Sequence, residues 1–239
     1  MRILLACLLP LMACSISDGD SRDDGTPGIP GQGAGNTRTY AVDGFTTVDL
    51  RGSDDVDVRV GPGFSVRADG DAETLDRVKI ERVGDALRIS RRSGSSRGET
   101  RVSVTLPQLT AASIAGSGDM TIDRVTGAGF KGAGAGSGKL TVGALQVDTA
   151  DVSLAGSGDM TLAGSAKRLR VSIAGSGDVD AGGLKAAGAD VSIAGSGSVR
   201  ADVDGAASVS VMGSGDVDLG SKARCTTSKM GSGTIRCGN

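Results

Sequence analysis

The sequence predicts an all-β protein, a right-handed parallel β-helix (solenoid) with about 18–20 residues per coil. Three observations carry that prediction: a Gly-Ser-Gly triplet that recurs seven times, alternation of apolar and polar residues around each copy, and a near-absence of aromatics. The triplet begins at Gly116, Gly136, Gly156, Gly175, Gly195, Gly213 and Gly231, at intervals of 20, 20, 19, 20, 18 and 18. A period near twenty between strand-forming residues marks a solenoid. Glycine makes up 40 of 239 residues, more than twice its usual share of about 7%. Only Tyr40, Phe45, Phe64 and Phe130 are aromatic, so the interior must be thin and filled by Val, Ile, Leu and Ala.

Aligning the copies on the first glycine assigns the inward positions. Two residues before it stand Ile114, Gly134, Leu154, Ile173, Ile193, Val211 and Lys229. Four residues after it stand Met120, Leu140, Met160, Val179, Val199, Val217 and Ile235. Even offsets are apolar and odd offsets are small or polar, as in a strand that enters a sharp turn and a second strand that leaves it. Parallel crossovers are right-handed by default. A left-handed helix would show a strict six-residue pattern, which these drifting intervals lack. Stacking at about 4.8 Å gives a rod on the order of 34 Å long.

The N-terminus, MRILLACLLPLMAC, reads as a lipoprotein signal peptide over residues 1–13. Its apolar stretch is too short to span a bilayer. Leu11-Met12-Ala13-Cys14 resembles a bacterial lipobox, which assigns lipidation to Cys14, anchors the chain to a membrane, and implies an exported, lipid-anchored envelope protein. Ser15 after the cysteine points to the outer membrane by analogy with enterobacterial sorting. Residues 14–37, rich in Gly, Pro, Asp and Ser, cannot bury a core and read as a flexible tether.

The folded domain is expected over residues 38–239, with N-terminal strands at 38–110 and Gly-Ser-Gly coils at 111–239. Val56-Asp57-Val58-Arg59-Val60, Leu87-Arg88-Ile89-Ser90 and Val102-Ser103-Val104-Thr105-Leu106 alternate as half-buried strands do. A short helix is suggested at 72–77.

The triplets Gly116-Ser117-Gly118, Gly156-Ser157-Gly158, Gly175-Ser176-Gly177 and Gly195-Ser196-Gly197 are assigned as structural turns, because glycine reaches positive φ freely. Their serines are expected to hydrogen-bond between coils or to the turn backbone. A phosphate cradle is excluded, since each turn feeds a strand rather than a helix N-terminus. The residue after the turn forms a column containing Asp119, Asp159, Asp178 and Asp216, with Lys139 between two aspartates. This column is the candidate binding face. It is expected to consist of solvated carboxylates, and the nine-residue repeat of calcium-binding β-rolls is absent. No Asp pair has the neighbours that catalysis requires, there is no His, and no metal or other cofactor is implied. A net charge of −2 argues against nucleic acid. Cys225 and Cys237 fall six residues before and after Gly231, both on inward offsets, and are expected to form a disulfide that staples the open end of the rod, where Lys229 replaces an aliphatic residue.

The run Val102–Leu109 leading into Ala115-Gly116-Ser117-Gly118-Asp119, with Gly44-Phe45-Thr46-Thr47-Val48 and the repeated Gly-Ser-Gly-Asp, resembles the bacterial family called putative auto-transporter adhesin, head GIN domain. The resemblance covers roughly residues 40–220. It implies a right-handed β-helical domain on exported, often lipid-anchored proteins and brings no catalytic residues. Three functions follow as expectations: a non-catalytic structural or adhesion module of the cell envelope; an envelope scaffold or stress sensor held by a partner at a capless edge; and a polysaccharide-binding or -cleaving β-helix, against which the lack of aromatic platforms counts. An envelope protein or a glycan is the partner these readings call for.

Overall fold

A computed structural model describes residues 27–93 and 98–238. The expected signal peptide, the expected lipidation site Cys14 and residues 14–26 of the expected tether lie outside the described residues. The chain winds as a right-handed parallel β-solenoid with three faces per coil. Strands of the first face run into the Gly-Ser-Gly corner, strands of the second face leave it, and a short third face returns the chain to the next level.

The first face stacks Ala86–Arg91, Thr47–Gly52, Ala111–Gly116, then 131–136, 150–156 and 169–175, then Ala189–Gly195, Ala206–Gly213 and Arg224–Met230, all parallel. One register line runs Leu50, Ile114, Gly134, Leu154, Ile173, Ile193, Val211, Lys229. The seven triplets therefore lie directly above one another. The repeat interval drifts without disturbing this line, because the register shifts fall elsewhere, between Val142/Leu145, Thr161/Ala163 and Ala181/Lys185, where the second face turns into the third. Most of the gain and loss of residues falls at that corner, with one further residue inserted between Val203 and Ala207 where the third face returns to the first.

The predicted inward columns form the core: Leu154, Ile173, Ile193 and Val211 from the first face, and Met120, Leu140, Met160 and Val179 from the second, are buried. Each such side chain contributes about 1.5–3 kcal/mol. Where the inward positions are glycines, at Gly132 and Gly134, the fully buried Phe130 fills the space near Gly132, and Leu154 and Met160 close over Gly134.

Two boundaries differ from the expectation. The repeat begins at Thr47 rather than at 111. Gly52-Ser53-Asp54 is an eighth, altered corner, and Gly116 and Gly118 sit on Gly52 and Asp54. Residues 61–110 are an excursion that leaves this first level and returns to lie above it. The tether also ends before residue 37. Gly31–Gln32 pairs antiparallel with Thr37–Tyr40, which pairs with Ser65–Gly70. Backbone pairing suffices here, since the segment supplies few apolar side chains.

The excursion caps the N-terminal end. Ser65–Gly70 pairs antiparallel with Thr100–Leu106, and Val78–Val83 with Ala86–Arg91. The suggested helix is a single turn, Ala72–Leu75. Three of the four aromatics, Tyr40, Phe45 and Phe64, gather at this end of the rod; Phe45 is buried, and its ring centroid is 5.0 Å from that of Phe64.

Candidate functional site

The corners show why the triplet is required. At Gly175, φ is +135°, which an L side chain rarely adopts. The third glycine answers a different demand. A Cβ on Gly177 would collide with the Gly158 carbonyl of the coil before it, although φ there is ordinary. Each corner rests on the backbone of the preceding corner, so neither glycine can carry a side chain.

The hydrogen bonds at the corner are made by the backbone. Ser117 and Gly118 both donate their amides to the Gly52 carbonyl, each at 3.0 Å. Ser137 and Gly138 donate to Gly116, and Ser157 and Gly158 to Gly136, at 2.9–3.1 Å. Ser176, Ser196, Ser214 and Ser232 continue the ladder. The expected serine contact is thus carried by the amide, while the hydroxyls face solvent along one edge.

The aspartate column is not simply solvated. The Asp178 carboxylate accepts the Ser198 amide at 2.7 Å, Asp119 accepts the Lys139 amide at 2.9 Å, and Asp216 accepts the Thr234 amide at 2.7 Å. Asp159 accepts the Asp178 amide at 3.4 Å. Each carboxylate braces the first residue of the next coil, and a charge-assisted acceptor offsets the repulsion between stacked aspartates. Among the described residues, no cluster of metal-ligating side chains is present.

The altered first corner is the residue set that sequence reasoning missed. The level beneath it, Ala86–Arg91 and Thr100–Leu106, is joined by a longer connection than a three-residue corner, and the third position above it carries a side chain. Asp54 occupies that position, with its carboxylate fully buried and held by Arg91, whose Nε lies 3.0 Å from both carboxylate oxygens. Arg91 also donates to the Gly98 carbonyl at 3.0 Å. The signal was present: Arg51-Gly52-Ser53-Asp54-Asp55-Val56 matches Ala115-Gly116-Ser117-Gly118-Asp119-Met120 at three positions and keeps an apolar residue at the sixth.

The far end is closed. Cys225 and Cys237 form a disulfide with Cα atoms 6.2 Å apart and pack against the core. Lys229 reaches across the last coil and donates to the Gly233 carbonyl at 2.8 Å. A lysine and a cross-link thus occupy the inward positions that would otherwise present an apolar end, while the outer backbone edge of Arg224–Met230 has no strand paired to it among the described residues.

The first face, outside, carries three further columns in unbroken register. The outermost alternates in sign, Lys131, Asp151, Arg170, Asp190. Arg170 pairs with Asp151 at 3.0 Å, and Arg168 with Asp190 at 2.8 Å. These side chains wall a shallow furrow of about 490 Å³ whose floor includes Ala133, Ser153, Ser172 and Ser192.

Stacked corners, a braced aspartate column and two closed ends define a right-handed β-solenoid domain that presents long regular faces. The chain belongs to the family described as putative auto-transporter adhesin, head GIN domain, which matches residues 44–223. A putative adhesin from Bacteroides fragilis superposes with a TM-score of 0.77 at 22% identity, covering 88% of this chain and 100% of that one. A protein from Parabacteroides distasonis named a putative lipid binding protein gives a TM-score of 0.69 at 24% identity, over 87% of this chain and 98% of that one. A putative adhesin from the same species gives 0.65 at 22%, over 87% and 98%. These likenesses establish the fold. No curated protein matches the sequence. Among the described residues, no helix is long and apolar enough to cross a membrane.

Proposed function

We propose that this chain is a non-catalytic adhesion module of the bacterial cell envelope, held at the outer membrane by acyl chains on Cys14. The observation that carries this reading is the use made of the aspartates. The one periodic set of carboxylates that could have served catalysis or cation binding is occupied in bracing successive coils. What remains for function is repetitive outer surface, which suits many weak, simultaneous contacts better than one chemical step. Family membership and the adhesin names of the structural relatives agree with it.

The test displays the chain in a non-adherent bacterial host. Wild-type chain is expected to partition with membranes and to be cleaved by protease added to intact cells, and the cells are expected to adhere to a surface or to one another more than cells carrying Cys14→Ser. A Cys14→Ser chain that stays in the membrane overturns the anchor. Wild-type cells no more adherent than Cys14→Ser cells overturn the adhesion role.

A further inference from the structure

We infer that the outer side of the first face is a self-complementary docking surface for a second copy of this chain, running antiparallel to the first. A two-fold axis along the strands, midway between 150–156 and 169–175, sets Thr47–Gly52 against Arg224–Met230, Ala111–Gly116 against Ala206–Gly213, 131–136 against Ala189–Gly195, and 150–156 against 169–175, with Ala86–Arg91 left beyond the contact. In the charged column this places Lys131 opposite the partner's Asp190 and Asp151 opposite the partner's Arg170. An isologous interface requires such reversal, with the same patch complementing itself. The alternation of four charges satisfies it; a run of one sign would not.

The column nearest the corner passes the same test by size. It reads Arg51, Ala115, Ala135, Ala155, Ala174, Ala194, Met212, Met230. Reversal sets Met212 against the partner's Ala115, and Met230 against the aliphatic stem of the partner's Arg51. The two central positions, Ala155 and Ala174, then oppose one another. Met212 and Met230 are 61% and 70% exposed, two of the four large apolar side chains left in solvent among the described residues. Between these columns lie Asp49, held within its own chain by Arg51 and Arg88, and then Ser113, Ala133, Ser153, Ser172, Ser192, Ser210 and Ser228, which are small enough for two sheets to approach closely.

The area is sufficient. Seven steps of about 4.8 Å by five residues of about 3.3 Å give about 34 Å by 17 Å. Two copies then bury about 1,100 Å², just above the roughly 1,000 Å² expected of a specific contact. The register of this face is free of the shifts seen elsewhere, so the columns stay aligned over its whole length. The chain enters the fold at the capped end, where the Ile29 amide donates to the Ile80 carbonyl at 2.7 Å. In an antiparallel pair the two entry points leave at opposite ends. That geometry joins chains tethered to facing surfaces, a consequence that rests on the proposed adhesion role, whereas the pairing itself rests on the face alone.

Sedimentation equilibrium on the chain from Ser15 onward, which retains the entire core, tests the pairing. Wild type is expected to dimerise below about 100 μM. Asp151→Arg and Arg170→Asp, each alone, set like charges against each other and are expected to weaken self-association at least about tenfold. An equimolar mixture of the two variants restores both opposing pairs and is expected to associate within about threefold of wild type. Thermal unfolding of each variant shows that the fold is kept. A wild-type chain that stays monomeric, variants that dimerise unchanged, or a mixture that does not recover overturns the inference. A monomeric chain that still makes cells adhere would end the pairing and leave the adhesion role standing.

Discussion

The N-terminal cap and the coils are stabilised in opposite ways. In the coils, strands are parallel, inward side chains are small aliphatics, and each level is held to the last by backbone ladders at the corner and by aspartates that accept backbone amides. In the cap, strands pair antiparallel with one another and meet the first coil in parallel, the aromatics gather, and side chains meet side chains, as in the buried pair of Asp54 and Arg91. The difference follows from repetition. An interior level has a copy of itself on both sides, so its contacts are dictated by stacking and the sequence converges on what stacking permits. An end has no such neighbour and must be closed by particular residues.

The third corner position gives the sharpest contrast, because aspartate is native there in the first level and excluded above it. Gly177→Asp should therefore have the largest effect. Its Cβ meets backbone rather than a movable side chain, and a loss of more than about 3 kcal/mol is expected in urea unfolding. A chain that unfolds at the wild-type urea concentration would show that the coils can separate to admit a side chain. Arg91→Leu probes the cap side of the same position. It strands a buried carboxylate, and about 3 kcal/mol should be lost; removing Asp54 as well, as Asp54→Gly with Arg91→Leu, should recover part of it.

The remaining two changes are smaller in their global consequence. Replacing both Cys225 and Cys237 by Ser opens a 12-residue closure worth about 3 kcal/mol to the last coil. Amide exchange should accelerate over 224–236, while the midpoint of global melting moves little, since a solenoid level contacts only its neighbours. Rapid exchange spreading through the whole stack would mean that the coils unfold as one unit. Asp178→Ala should cost about 1 kcal/mol by orphaning the Ser198 amide, and Asp178→Asn, which keeps an acceptor oxygen, should be nearly neutral. Equal losses in the two variants would show that charge rather than hydrogen bonding is what the column supplies.

Much of the fold was legible in residues 111–237 because the repeat samples the same environment seven times, and a position such as Ile173 or Ile193 is read against its equivalents. The Cys225–Cys237 pairing was legible for the same reason: both cysteines fall on inward offsets. The first corner was not recognised, although Gly52-Ser53 and Asp55-Val56 carry its pattern. A single substitution at Asp54 and an excursion of some fifty residues removed the period that exposed the others. The use of the aspartates was hidden as well. Their spacing in sequence gives a column, but an amide one coil away enters only when the coils are stacked.

By itself, the sequence determined the class of fold, the inward columns and the axis of repetition, because alternation and period follow from strand geometry and need no partner to be read. The tertiary structure alone decided what each conserved-looking feature of the repeat is for: why the third glycine cannot bear a Cβ, which amide each aspartate holds, and how the two ends are closed. Those are contacts between levels some twenty or more residues apart, and their distances exist only after the chain has wound upon itself.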